Sequence, residues 1–123
     1  MNYTYEINSE NKTIVVKANE NLISKEVATM ELEILLKAKK LDYKVIFDHR
    51  YLKNRISIGE AYFWYSTKYE YVDNELMCIP TAYIANKDDL DFYSFYESAC
   101  NEKGIHIKLF HDENALSEWL NSC

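Results

Sequence analysis

The sequence predicts an α/β fold, a mostly parallel sheet covered by helices, with its first strand antiparallel. Three observations carry this. Short segments of strand type alternate along the chain with longer segments of helical period. The triplet Val45-Ile46-Phe47 is apolar throughout, as a strand covered on both faces requires. Gly occurs twice and Pro once in 123 residues, which leaves long regular elements and few tight turns.

Taken in order, Tyr3–Asn8 (YTYEIN) alternates as a strand does, Ser9-Glu10-Asn11 is a polar turn, and Thr13–Lys17 (TIVVK) is a second strand. Two strands joined by a turn this short make an antiparallel hairpin. Ser24 is the N-cap residue of a helix from Lys25 to about Lys40. Val27, Met30, Ile34, Leu35, Ala38 and Leu41 form its apolar stripe, at spacings of three and four. Tyr43–Asp48 (YKVIFD) is the central strand, and a polar loop runs from Asp48 through Arg55.

Ser57-Ile58-Gly59-Glu60 reads as a capping box, opening a helix to about Val72 that Asp73-Asn74-Glu75 ends. Ile58, Ala61, Tyr62, Tyr65, Tyr69 and Val72 face the sheet; Phe63, Trp64 and Tyr71 fall off that stripe. Pro80 cannot donate a ladder bond, so the next strand starts near Thr81 and ends at Ala85. Asp88 caps a helix to about Lys103, and Gly104 ends it. Leu90, Phe92, Tyr93, Phe95, Tyr96, Ala99 and Cys100 supply its apolar surface. Ile105–Phe110 alternates, as an edge strand does. Asp112 caps a last helix that turns Ala115, Leu116, Trp119 and Leu120 inward. The predicted order is β-β-α-β-α-β-α-β-α in a single domain spanning residues 1–123.

Composition narrows the function. Asp plus Glu is 20 and Lys plus Arg is 14, a formal charge of −6, whereas nucleic-acid binding needs clustered cations. No apolar run reaches the roughly 20 residues of a membrane span. The first residues have neither the basic nor the apolar region of a secretory signal. Cys78, Cys100 and Cys123 are scattered and form no zinc spacing with His49, His106 or His111. Free thiols suit a reducing cytoplasm. No Gly-rich phosphate loop or other cofactor motif is present, and neither metal nor cofactor is expected.

The segment KGIHIKLFHDENALSEWL resembles the last strand and helix of small STAS-like (SpoIIAA-like) domains, whose helix ends Ala-x-x-x-Trp-Leu. VIFDHR is similar to their central strand, which ends in an acidic residue. With the opening hairpin, the likeness covers nearly the whole chain. It implies a partner-binding or regulatory module rather than an enzyme. In that family the phosphorylated Ser opens the helix after the central strand, which here is Ser57. The family pattern Asp-Ser-Ser-Gly is reduced to Ser57 and Gly59, flanked by Ile56 and Ile58.

Three constellations could carry function. Ser57 is a phosphorylation candidate at a helix N-terminus, but a plain cap supported by Glu60 is the favoured reading. Asp48, His49 and Arg50 at one strand end, with Asn86 and Lys87 and with His111 and Asp112 at others, could meet a ligand where open α/β sheets bind theirs. Solvated loops and caps explain the same residues. Surplus rings at Phe63, Trp64 and Tyr71 point to a protein partner or a homodimer, or to a pocket for a small apolar ligand. The favoured expectation is a non-catalytic, self-associating interaction module; the alternative is a small-ligand-binding protein or weak enzyme with its site at the strand C-termini.

Overall fold

The computed structural model describes residues 3–18, 24–51 and 74–122. Within them, strand β1 (Tyr3–Asn8), β2 (Thr13–Ala18), helix α1 (Ser24–Leu41) and β3 (Lys44–Asp48) open the chain. A single helical turn α2 (Asn74–Met77), β4 (Thr81–Ile84), α3 (Leu90–Glu102), β5 (Ile107–Phe110) and α4 (Glu113–Ser122) complete it. The strands form one sheet in the order β1-β2-β3-β4-β5, with β1 antiparallel to β2 and the other pairs parallel. The α/β class and the antiparallel first strand are as the sequence predicts. The helix predicted from Ser57 to Val72 lies outside the described residues.

The central strand is β3. Val45 and Phe47 are fully buried on one face and Ile46 on the other, the double burial that the apolar triplet requires. Opposed residues share a face, so Ile14, Val45, Thr81 and Ile107 line up, as do Val16, Phe47, Tyr83 and Leu109. This face packs under Met30, Ile34, Leu35 and Ala38 of α1 and under Phe92, Tyr93, Tyr96 and Cys100 of α3. The other face presents Ile46, Ala82 and Phe110 to Ala115, Leu116, Trp119 and Leu120 of α4. Two contacts, one from β3 and one from just beyond its end, hold α4 there. Lys44 Nζ donates to Leu120 O at 2.9 Å, and Arg50 reaches Glu113 at 3.0 Å. The central strand therefore grips both ends of the last helix.

Local chemistry sets several boundaries. The hairpin turn has four residues rather than three, because Asn8 Oδ1 accepts the N–H groups of Glu10 and Asn11 and Lys12 takes a left-handed φ of 55°. Gly104, at φ 82°, closes α3: its N–H donates to Asn101 O at 3.1 Å and that of Ile105 to Cys100 O at 3.0 Å. Asp112 Oδ1 accepts the Asn114 N–H at 2.7 Å and so caps α4.

Other expectations are corrected. Asp88 does not cap α3; it lies inside a 3-10 turn, Lys87–Asp89, and the α-helix starts at Leu90. Asn74 and Glu75 lie in the helical turn α2, and the helix end predicted at Asp73-Asn74-Glu75 follows residues outside the described ones. Leu41, the last residue of α1, is 42% exposed, and Phe95 lies on the outer side of α3. Strand β4 stops at Ile84 and β5 starts at Ile107. No described helix is long and apolar enough to cross a membrane.

Candidate functional site

The carboxyl end of β3 carries the predicted Asp48, His49 and Arg50, and alternation along the strand sends them to different places. Asp48 falls on the α4 face. Its carboxylate accepts from Arg50 Nε at 3.0 Å, from Arg50 Nη2 at 2.8 Å and from the Arg50 backbone N–H at 3.1 Å. Arg50 also donates to Glu113, so one guanidinium serves two carboxylates. The hydrogen bond that Arg50 donates to Asp48 is the first cause that holds the Arg50 pKa above its ordinary value. The Asn86 side chain donates to Arg50 O, tying the β4 end to the same corner. Tyr51 lies against the guanidinium, 5.7 Å from ring centroid to carbon.

His49 goes the other way. It is fully buried on the α1 and α3 face, where the sequence suggests a solvated loop. Its Nδ1 lies 2.9 Å from Tyr93 Oη. Its ring meets Tyr83 edge-on at 5.2 Å, with Phe47 at 6.0 Å. His111 is exposed, and no hydrogen bond or ion pair joins it to His49 among the described residues. The strand-end set therefore divides into a structural corner (Asp48, Arg50), a core histidine and a surface histidine.

The most unusual chemistry lies deeper. Glu31 of α1 is 4% exposed beneath α3. Tyr83 donates its hydroxyl to Glu31 Oε1, and Tyr96 donates to Oε2 at 3.4 Å. Burial is the largest cause that pushes the pKa values of Tyr83, Tyr93 and Tyr96 well above the ordinary value, and Glu31 adds to each. These phenols are therefore held protonated, as hydrogen-bond donors and not as bases. The cluster joins α1, β4 and α3 through one carboxylate. A signal for it exists in the sequence: position 31 lies four residues after Val27 and three before Ile34, on the apolar stripe itself. A carboxylate there needs donors from the core.

The sheet's two outer edges form the remaining candidate surface. On β5, side chains of α3 cover the outward N–H groups: Glu97 accepts from Leu109 at 2.5 Å and Asn101 from Ile107 at 3.4 Å. On β1, residues 4–8 are exposed, including Tyr5 at 38% and Ile7 at 50%. No strand lies outside β1 among the described residues. Tyr3 ties its start to α1 through Glu33 at 2.7 Å, and Lys37 sits 5.7 Å over the Tyr5 ring.

Ser57, Phe63, Trp64 and Tyr71 lie outside the described residues. Among the described residues no group of three His, Cys, Asp or Glu could hold a metal. Compared with known proteins, the chain matches no family model, no curated protein and no solved structure.

Proposed function

We propose that this chain is a non-catalytic interaction module of STAS-like type that pairs with a second copy of itself along β1. The carrying observation is the open β1 edge. Solvent-facing edges usually carry Lys, Pro or a bulge that blocks pairing, and YTYEIN has none of these. Its sequence is also self-complementary. An antiparallel pair with its two-fold axis at Tyr5 sets Tyr5 against Tyr5, Tyr3 against Ile7 and Thr4 against Glu6, so no like charges meet. Lys17 lies across from Thr4 within each copy, on the face that receives the other copy's Glu6. Tyr5 and Ile7 would be covered on the same face.

The strand-end residues favour this reading over a ligand site at that end, because Asp48 and Arg50 are committed to each other and His49 to the core. Cys78 and Cys100, which are thiols and not half-cystines, support a cytoplasmic setting. Ser57 keeps its role as a candidate regulatory hydroxyl, and the rings at Phe63, Trp64 and Tyr71 are the competing interface.

Light scattering on the eluting protein tests the reading. The wild-type chain is expected at twice its 14.6 kDa, and Ile7→Lys at the single mass. A wild-type monomer at high concentration overturns self-association. A dimer that survives Ile7→Lys but not Trp64→Ala transfers the interface to the aromatic segment.

A further inference from the structure

At the end of the sheet opposite the Asp48 corner, a cavity of about 270 Å³ opens where β4 and β5 begin. Pro80 and Thr81 of β4's entry, Asn101 of α3, His106 and Lys108 of the last strand and Trp119 of α4 line it. Among the described residues the lining holds a lysine and a histidine and no carboxylate, in a chain where acids outnumber bases 20 to 14. Lys108 is exposed and enters no ion pair among the described residues. Thr81 directs its hydroxyl to Ile79 O at 3.0 Å, and Asn101 uses its carbonyl oxygen on the Ile107 N–H, so the Asn101 amide NH₂ remains as donor chemistry. Trp119, half-buried and packed 5.9 Å from Phe110, offers an aromatic wall, with Pro80 as apolar lining.

Positive charge, donors and a flat apolar wall in one small recess select a single kind of ligand. We propose that this cavity binds a small aromatic carboxylate, its ring against Trp119 and its carboxylate at Lys108 and His106. A bare anion would leave the indole wall unused, and an aromatic cation would meet Lys108. The volume, at the small end of the range for ligand pockets, suits a single aromatic ring. The site is independent of the β1 pairing, whose residues lie at the opposite edge of the sheet.

The test is a titration of the full chain followed by amide and indole NMR signals. Benzoate is expected to shift the Trp119 indole and the Lys108 amide saturably, acetate to bind about tenfold more weakly, and benzylammonium to leave both signals in place. Lys108→Glu, at an exposed position that leaves the remaining spectrum unchanged, is expected to lose benzoate binding by at least about tenfold, with a smaller loss for His106→Gln. Three results would overturn the proposal. One is no response to benzoate at about 20 mM. The others are an equal response to acetate, and undiminished binding by Lys108→Glu.

Discussion

The two outer strands of this sheet are finished in opposite ways. On β5, the neighbouring helix α3 spends Glu97 and Asn101 on the outward N–H groups of Leu109 and Ile107. On β1, the neighbouring helix α1 reaches the face of the strand, through Glu33 to Tyr3 and Lys37 over Tyr5. The backbone edge of β1 stays available among the described residues, with Ile7 half exposed beside it. A sheet that covers one edge with polar side chains and leaves the other bare has one direction in which to grow. That asymmetry supports pairing at β1.

The comparison can be broken at the strand that supports both edges. Phe47→Ala removes a fully buried ring from β3 and is expected to cost roughly 3–5 kcal/mol in thermal or denaturant unfolding. Both edges should lose amide protection together, because both are registered on the central strands. Protection lost at one edge alone would mean that the edges fold independently. Glu31→Ala leaves the Tyr83 and Tyr96 hydroxyls buried without their acceptor and is expected to cost about 1–3 kcal/mol. Its effect should centre on α1, β4 and α3 in hydrogen exchange, leaving the β1–β2 hairpin protected.

Smaller changes separate the edges themselves. Glu97→Ala uncovers the Leu109 N–H and is expected to cost about 1 kcal/mol, with faster exchange at Leu109. Ile7→Lys is expected to change monomer stability by no more than about 0.5 kcal/mol while abolishing the dimer. A large stability loss from Ile7→Lys would show β1 to be packed like β5.

Alkaline pH gives a further contrast. The hydrogen bond to Glu33 is the first cause that raises the Tyr3 pKa from 10.0 to about 12, and burial raises Tyr83, Tyr93 and Tyr96 in the same direction. The folded chain therefore keeps these protons after the unfolded chain has released them. Their contribution to stability is complete below pH 10 and is lost as pH rises through about 12 for Tyr3. Tyrosinate absorbance should follow unfolding for the buried phenols. Tyr3→Phe should remove the hairpin's separate part of the transition.

Much of the fold can be read from local pattern. The Asp112 cap, the Gly104 stop, the alternating hairpin and the all-apolar Val45–Phe47 triplet each follow from one residue type in one position, and each is present in the structure. The site was harder to read. Asp48, His49 and Arg50 are consecutive and polar, which in a sequence means loop. A strand sends neighbours to opposite faces, so Asp48 meets α4 while His49 enters the core beside Tyr93. Which helix covers which face is not encoded at those three positions.

The sequence by itself determined the class, the hairpin, the central strand and most helix ends, because capping, alternation and apolar period act over a few residues. Tertiary structure alone decided that Glu31 would be a shared acceptor, that β5 would be covered and β1 left open among the described residues, and that a recess lined by His106 and Lys108 would form where β4 and β5 begin. Those features depend on residues up to 65 positions apart meeting across packed elements, as Glu31 meets Tyr96. Such meetings are set by strand order and helix placement, which no short stretch of chain specifies.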